Sequence, residues 1–255
     1  MEPTRADIGA ANLEFYEQAY SVGHLPGLVL KQLLSYDQLS KTRRNLRMLR
    51  RLPNFSLGLS VLDYGFGHGT LLLRLPRTHR LYGCELSSRA ARNLELLCRF
   101  LRRELNLRSP EQFAAAKDSL SLDLVCCSHV IEHVHDDAAL LAVFHGLLNR
   151  EGYLLLNVPI NEVWDDPKHV RSYSRESICP LLSNSGFTVQ GILEADRWTA
   201  WILHHELVSS ARFRSFFRIV RLLLALLPVA AWDALEALLP EKHKFQQLLV
   251  LAKRT

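Results

Sequence analysis

Residues 57–70 read LGLSVLDYGFGHGT and predict a buried strand that runs directly into a glycine-rich turn. The first half is a short apolar run, which is typical of a strand covered on both faces. Gly65, Gly67 and Gly69 allow a tight turn and let a ligand approach the backbone closely. The helix predicted to begin at Thr70 would present unpaired N–H groups at the same place. The stretch therefore predicts a ligand-binding turn between a strand and a helix.

Outward from this turn, apolar strand patterns alternate with amphipathic helix patterns. The predicted strands cover residues 57–63, 80–84, 113–116, 122–130, 153–158, 187–193 and 246–252. The predicted helices between them cover residues 70–75, 89–105, 138–148 and 174–185. Such alternation predicts an α/β fold, with a Rossmann-like, seven-stranded, mostly parallel sheet and helices on both faces.

Two further regions surround this pattern. Residues 1–53 read as an N-terminal helical cap ahead of a domain at 54–255. The cap contains a strongly basic run, KTRRNLRMLRR at 41–51, which we interpret as a solvated helix face in preference to a binding patch. An apolar helical insert at 203–242 precedes the last strand.

The insert has three open interpretations. Its uninterrupted apolar run, 222–232, is too short to span a bilayer, which takes ~20 residues. A pair of buried helices broken at Pro228, capping the domain or pairing it with another copy, is favoured. A lid over an apolar substrate and a helix lying on a membrane surface are the alternatives. A homodimer or a membrane contact would use residues 212–239.

Composition limits the class of protein. The chain has 255 residues, 48% hydrophobic and 22% charged, which excludes a disordered chain and a small disulfide scaffold. A net charge of +5 is mild, so nucleic acid is not expected as a partner. No signal-peptide pattern opens the sequence, and no CxxC motif occurs, so we expect a cytoplasmic protein. Its five cysteines are Cys84, Cys98, Cys126, Cys127 and Cys179.

The turn also discriminates between cofactors. Glu85 ends the next predicted strand, where a carboxylate can accept both hydroxyls of a ribose. The dinucleotide fingerprint GxGxxG fails here, because Thr70 stands at its third glycine. The observed GxGxG spacing, with Asp63 just before it, suits a ligand whose near end is a cationic sulfonium and an amino acid. A nicotinamide-dependent dehydrogenase is therefore less favoured.

The chain resembles class I S-adenosylmethionine-dependent methyltransferases from about Leu59 to Leu193, and again over its last strand. The motifs that carry the resemblance are VLDYGFGHGT, YGCELS, KDS, DLVCCSHVIEHVHD, GYLLLNVP and DPKHVRSYS. The HVIEHVHD and HVRSYS segments are similar to small-molecule methyltransferases of the quinone-pathway O-methyltransferase type. The resemblance implies a small-molecule biosynthetic enzyme with S-adenosylmethionine as cofactor. The rival from another class is a methyltransferase-fold scaffold without catalysis.

The resemblance also implies the cofactor-binding residues. It assigns Asp63, Gly65, Gly67 and Gly69 to the methionine end, Glu85 to the ribose, Leu86, Asp118 and Ser119 to the adenine, and Ser128 to the sulfonium region. Tyr16 and Tyr20 resemble the N-terminal aromatic pair that closes over the cofactor in some relatives, which places them beside the substrate.

Histidines follow the fourth and fifth predicted strands, at the edge where parallel sheets bind ligands. Methyl transfer requires an acceptor aligned with the methyl carbon, and often removal of a proton from the acceptor. Histidine suits that step because its pKa lies near neutrality. We expect His133 as the base, with His169 as second choice and His129 near the reacting centre.

A metal is a possible addition that we do not favour. His129, Glu132 and His133 have i, i+3, i+4 spacing and would face one way on a helical turn, as two imidazoles and one carboxylate can around a divalent ion. The quinone-pathway relatives, which use a divalent ion, carry an acidic residue where His129 stands. The favoured alternative is that Glu132 and His133 only position their loop.

The acceptor is expected to be a small molecule methylated on oxygen, with nitrogen and carbon less favoured. The apolar insert favours a lipophilic acceptor, and a polar one such as a sugar stays open. Arg171 either binds a carboxylate or phosphate of the acceptor or pairs with Asp165 or Asp166. Tryptophans either wall the acceptor pocket or pack in the core: Trp164, Trp198 and Trp201.

Overall fold

The computed structural model describes Glu14, Glu17, Gln18, Tyr20 and residues 23–162, 166, 168–197, 211–240 and 244–255. Of residues 211–215 it describes the backbone. Five of the residues singled out above lie outside the described residues, namely Tyr16, Trp164, Asp165, Trp198 and Trp201.

The described residues form one seven-stranded sheet. Its strands are β1 (Ser60–Tyr64), β2 (Arg80–Cys84), β3 (Leu105–Leu107), β4 (Leu122–Ser128), β5 (Leu148–Pro159), β6 (Phe187–Ala195) and β7 (Gln247–Arg254). The order is β3-β2-β1-β4-β5-β7-β6, and β7 alone runs antiparallel to its neighbours. This confirms the predicted Rossmann-like, mostly parallel sheet. The strand order reverses between β1 and β4, which is where open α/β sheets bind ligands.

Helices cover both faces of the sheet. They are α1 (Leu25–Leu34), α2 (Tyr36–Leu49), α3 (Thr70–Arg74), α4 (Ser88–Phe100), α5 (Pro110–Ala115), α6 (Asp137–Leu147), α7 (Arg175–Asn184), α8 (Ala211–Leu226) and α9 (Val229–Ala237). A single 3₁₀ turn, Ile131–His133, follows β4. The helix predicted over 89–105 ends earlier, at Phe100, because the chain turns there into β3.

The core has one layer on each side of the sheet. Val61 and Leu124 face the layer that contains α2, α3 and α4, while their neighbours Leu62 and Val125 face the layer that contains α6 and α7. All four side chains are fully buried. Burial on both faces explains why these strands read as continuous apolar runs. Because α2 contributes Leu49 to this core, the N-terminal cap packs directly on the sheet.

The third strand lies at a different place in the chain from the one predicted. The sequence predicted it at 113–116, but that segment lies in helix α5 and next to it, and β3 lies earlier, at Leu105–Leu107. Ser109 caps α5 and forms a reciprocal capping box with Gln112, and Pro110 occupies the first turn. These features start a helix whatever the apolarity of the residues that follow. Phe113 is fully buried, but as a helical residue.

Strand β5 is longer than predicted. It includes residues 149–152, which lie between the helix predicted at 138–148 and the strand predicted at 153–158. Its pairing with β4 shifts register between Leu122 and Leu124, so the extra residues form an irregularity within the strand. The Asn149 side chain accepts a 2.9 Å hydrogen bond from the N–H of Glu151, as it would in a turn.

The insert forms two helices, α8 and α9, which are separated at Pro228 as predicted. One side of the pair packs on α2 in a third apolar cluster, built around the fully buried Trp232. Trp232 donates a 2.8 Å hydrogen bond from its indole N–H to the carbonyl of Leu224. None of the helices in the described ranges has the length and apolar character needed to cross a bilayer.

A buried ionic cluster joins α2 to the insert. Arg44 on α2 contacts the carboxylates of Glu236 on α9 and Asp196 after β6, the latter at 3.7 Å. Ser40 and Tyr36 donate hydrogen bonds to Asp196, at 3.1 and 3.3 Å. All five side chains are buried, so the cluster replaces water with fixed partners around one guanidinium.

Candidate active site

A cavity of about 640 Å³ opens at the carboxyl ends of β1, β2 and β4, at the reversal of strand order. Pockets of this size suit small-molecule ligands and cofactors. Helix α2 and Tyr20 form its remaining walls. The predicted residues that line it are Tyr20, Asp63, Gly65, Gly67, Glu85, Leu86, Ser128, His129, Glu132, His133 and His169.

The glycine turn has little room for side chains. Gly65 has a φ of +76°, and a Cβ there would lie 2.1 Å from a methyl group of Val130. Gly69 has a φ of +66°, and a Cβ there would lie 2.4 Å from Leu94. Gly65 and Gly69 are therefore required by the turn itself. Gly65 and Gly67 line the cavity, and Gly67 lies opposite the Tyr20 hydroxyl.

Glu85 is fixed at the end of β2 by backbone donors. One carboxylate oxygen accepts the N–H of Gly67 at 2.8 Å, and the other accepts those of Leu86 and Ser87 at 2.9 and 3.1 Å. Burial raises the pKa of Glu85 above its usual value, and the three N–H groups counter that rise. A carboxylate oxygen can accept more than one hydrogen bond, so Glu85 keeps the capacity to bind ribose hydroxyls.

Asp63 lies beneath the turn and is 4% exposed. Burial, together with the nearby charge of Glu85, raises the pKa of Asp63 to about 7. A cationic ligand would reverse this effect, because an adjacent positive charge favours the ionised carboxylate. The site thus presents a carboxylate that favours a positively charged partner.

Asp118 and Ser119 do not reach the cavity, which corrects their assignment to the adenine. They lie in the turn between α5 and β4, and β4 runs from there toward the cavity, so they stand at the opposite edge of the sheet. Pro110 and Glu111, which follow β3, line the cavity in their place. The capping signal at Ser109 could have located this strand end from the sequence.

Ser128 is the last residue of β4 and lies beside α2, and His129 follows it. Asn45 of α2 donates a 3.1 Å hydrogen bond to the Ser128 hydroxyl. His129 has a left-handed φ of +55°, and its Nδ1 lies 3.5 Å from a carboxylate oxygen of the fully buried Glu132. Burial, followed by the charge of Lys41, lowers the pKa of His129 and favours its neutral form.

His133 and His169 meet edge to face, with ring centroids 4.8 Å apart. Nδ1 of His133 lies 3.0 Å from the carbonyl oxygen of Lys168, and Nδ1 of His169 lies 2.9 Å from Oε2 of Glu162. Both partners are acceptors, so Nδ1 is the donor in each ring, and in a neutral ring Nε2 carries the lone pair. The sequence had suggested both histidines, but it had not suggested Glu162.

The residues that could hold a metal differ from the predicted trio. In the described part of the chain, the grouping whose ligand atoms lie within 4.8 Å of one another is Glu132, His133 and His169. His129, which was part of the predicted trio, is not in it. The expectation that no metal is required stays a prediction.

Asp165 lies outside the described residues. Arg171 does not pair with Asp166, its other predicted partner. It contacts the Asp137 carboxylate and donates to the carbonyl of His135, and Tyr173 donates a 2.9 Å hydrogen bond to the same Asp137. Arg171 therefore anchors the loop after β5 to the start of α6, outside the residues that line the cavity. Asp166 pairs instead with Lys168, at 3.1 Å.

The sequence did not indicate that helix α2 contributes residues to the cavity. Lys41 and Asn45 line the cavity together with Gln38 and Thr42. Burial lowers the pKa of the Lys41 ammonium, which the charges of Asp37 and Glu132 partly offset. Nothing local marks these residues, because their role depends on how α2 packs over the sheet.

The comparisons with known proteins agree with this geometry. A family model described as "Methyltransferase domain" matches residues 37–191, which is more than half of the chain. Among curated protein sequences, none matches this chain significantly. Solved structures that are similar include a magnesium protoporphyrin IX methyltransferase from Synechocystis PCC 6803 with bound SAH, at 16% identity, 98% coverage of each chain and a TM-score of 0.55.

Two other solved structures are similar. The StiE O-methyltransferase domain is 20% identical, with 83% of this chain and 74% of that chain covered and a TM-score of 0.57. A sarcosine dimethylglycine methyltransferase from Galdieria sulphuraria is 13% identical, with 85% of each chain covered and a TM-score of 0.56. Identities this low show a shared fold, while the family match covers the ligand-binding turn and the histidine cluster. The chain therefore belongs to the class I S-adenosylmethionine-dependent methyltransferases.

Proposed function

We propose that this enzyme transfers a methyl group to an oxygen atom of a small-molecule acceptor, with His169 as the general base. The observation that carries the proposal is the 2.9 Å hydrogen bond between Nδ1 of His169 and the Glu162 carboxylate. A carboxylate behind an imidazole holds the ring in one tautomer and stabilises the imidazolium that forms when the ring takes a proton.

The cavity residues fit the cofactor. S-Adenosylmethionine, when bound, supplies a methyl group on a positively charged sulfur. Asp63 offers a buried carboxylate that favours a cationic partner, and Glu85 offers fixed acceptors for ribose hydroxyls. Burial of both carboxylates in one cavity excludes water from their contacts and strengthens them.

A histidine would accept the proton that the acceptor hydroxyl loses. A neutral hydroxyl that gains a methyl group must lose its proton, and the lone pair on Nε2 of His169 can accept it. We favour His169 over His133 because the Nδ1 of His133 donates to the neutral carbonyl of Lys168, which stabilises a positive ring less than a carboxylate does. His133 then packs against His169 and orients it.

Lys41 favours an acceptor whose hydroxyl is acidic. Its ammonium lines the same cavity as His169, and an ammonium in a partly buried site stabilises a developing oxyanion. An aromatic or otherwise acidic hydroxyl would match this charge, whereas none of the described insert residues, 211–240, lines the cavity. Methylation of an amine would gain less, because Lys41 repels the cationic product.

The test is a turnover assay with S-adenosylmethionine and a panel of phenols, aliphatic alcohols and amines, followed by NMR assignment of the methylated atom. We expect an O-methyl product. In His169→Ala, kcat should fall about 100-fold or more, while the affinity for S-adenosylhomocysteine should be unchanged. An N-methyl or C-methyl product, or full activity of His169→Ala, would contradict it. His145→Ala, outside the cavity lining, is the matched control.

A further inference from the structure

Helix α8 carries a row of exposed apolar side chains that the methyltransferase fold does not use. Phe216, Ile219, Leu223 and Leu226 are 56%, 57%, 58% and 65% exposed. Their spacing of three, four and three residues places them on one side of the helix. We call this row the α8 stripe. Apolar patches on a protein surface commonly mark an interaction site.

The stripe is distinct from the side of α8 that packs. Phe217, Leu224 and Ala225 are buried against Tyr36 and Leu39 of α2, and they hold α8 to the molecule. Helix α8 is therefore anchored by one side and presents a second apolar side outward. A helix that needed only to fill the core would not require both.

A basic groove adjoins the end of the stripe. Its volume is about 680 Å³, and it is lined by Arg43, Arg47 and Arg50 of α2 together with Leu226 and Pro228 at the α8–α9 junction. The spacing of the three arginines places them on one face of α2. Leu226 belongs to both the stripe and the groove, so apolar and basic surface are continuous there.

We propose that the α8 stripe and the basic groove together bind the surface of a membrane that contains anionic phospholipids. The stripe would enter the boundary between headgroups and acyl chains, and Arg50 of the groove would bind lipid phosphates. Of the other two groove arginines, Arg47 pairs with Asp233 and Arg43 donates to the carbonyl of Leu227. This gives the basic run at 41–51 a role other than that of a solvated face. The proposal goes beyond the methyltransferase activity and does not rest on it.

The charge of α8 favours a membrane over a second copy of the same helix as its partner. Helix α8, with the sequence ARFRSFFRIVRLLLAL, contains four arginines and no acidic residue. Pairing α8 with itself would bring no carboxylate of that helix to its arginines. An anionic bilayer supplies negative charge along the whole surface and attracts basic residues close to it.

The test is vesicle flotation of the full chain at low salt, with phosphatidylcholine vesicles and with vesicles that also contain phosphatidylglycerol. The wild type should float with the anionic vesicles and not with the neutral ones, and added salt should weaken binding. Leu223→Glu and Arg50→Glu should each weaken binding about tenfold or more, since each places a negative charge against the anionic surface.

Controls use matched residues on α4. Phe100→Glu has a comparably exposed aromatic position, 59%, and Arg99→Glu has an exposed arginine. Both should bind vesicles as the wild type does, and all variants should keep its thermal midpoint. Absence of flotation in the wild type, or equal loss in the α4 controls, would overturn the proposal. So would light scattering that shows a dimer, broken by Leu223→Glu, in a chain that binds no vesicles.

Discussion

Glu162 and His169, both on the loop after β5, are joined by a 2.9 Å hydrogen bond between Oε2 and Nδ1. Nε2 of the same ring lies 4.0 Å from the Asp166 carboxylate, which is beyond hydrogen-bond distance. His169 thus has its proton position set from one side, by one carboxylate. Glu162 acts through His169, so it is a positioning residue in the proposed reaction.

Replacing Glu162 should lower kcat and leave substrate binding largely unchanged. In Glu162→Gln the amide lacks the charge that stabilises the imidazolium, so kcat should fall about tenfold or more while KM changes little. Glu162→Asp, which restores the charge, should recover part of kcat. Initial-rate kinetics measure both constants. Equal effects of Glu162→Gln on KM and on cofactor affinity would assign Glu162 a structural role instead, and the exposed Glu151→Gln is the control.

Asp63 predicts a pH dependence of cofactor binding. The pKa of Asp63 in the ligand-free protein is about 7, and a cationic cofactor binds the ionised form. Protonation below that pKa therefore competes with the cofactor, so affinity should rise by up to about tenfold per pH unit below 7 and level off above it. Calorimetric titration with S-adenosylmethionine at several pH values measures the profile.

Two variants complete that experiment. Asp63→Asn should bind more weakly and lose the slope, because the titrating group is gone. Glu95→Gln, an exposed acid on α4, should leave both affinity and slope unchanged. A wild-type affinity that does not vary between about pH 6 and 8, or a slope that survives in Asp63→Asn, would remove Asp63 from the site.

Gly65 should be intolerant of a side chain. Gly65→Ala forces a residue with a Cβ into a φ of +76° and within 2.1 Å of Val130, so the free energy of unfolding should fall by about 1–3 kcal/mol. Adding Val130→Ala should recover the steric part of the loss and leave the backbone part. Gly23→Ala, where nothing lies within 4 Å of the added Cβ, is the control. Urea unfolding compares the variants, and equal stability of Gly65→Ala and Gly23→Ala would refute the prediction.

The buried cluster around Arg44 should be sensitive to loss of its cation. Arg44→Ala leaves Asp196 and Glu236 buried together without their counter-charge, so unfolding should become easier by about 3–5 kcal/mol. The exposed pair Arg47–Asp233 gives a matched comparison, and Arg47→Ala should cost under about 1 kcal/mol. Denaturant unfolding of both variants measures the two losses of free energy. Similar losses would show that burial does not determine how much the Arg44 cluster stabilises the fold.

Local patterns predicted the part of the fold that depends on local chemistry. The apolar run at 57–63 and its glycines determine a strand, a turn and a helix within one short segment, and the structure confirms each. The prediction of the third strand was wrong because two local signals competed. The apolar pattern at 113–116 favoured a strand, whereas Ser109, Pro110 and Gln112 favoured a helix, and the caps prevailed.

The site was predictable only where its residues follow strand ends. Asp63, Glu85 and His133 were found because parallel strands bring their carboxyl ends to one edge. Lys41 and Asn45 were not, because α2 reaches that edge through packing between residues far apart in the chain. Asp118 was misassigned as a direct consequence of the misplaced third strand.

Calorimetric titration of S-adenosylhomocysteine into the wild type and into Glu85→Gln tests directly whether the cavity binds the cofactor. We propose that the cavity at the ends of β1, β2 and β4 holds the cofactor, with Glu85 as the acceptor for its ribose. We predict binding at one site in the wild type, weakened about tenfold or more in Glu85→Gln and unchanged in Glu95→Gln. Equal affinity in all three proteins, or no binding by folded wild type, would contradict the claim.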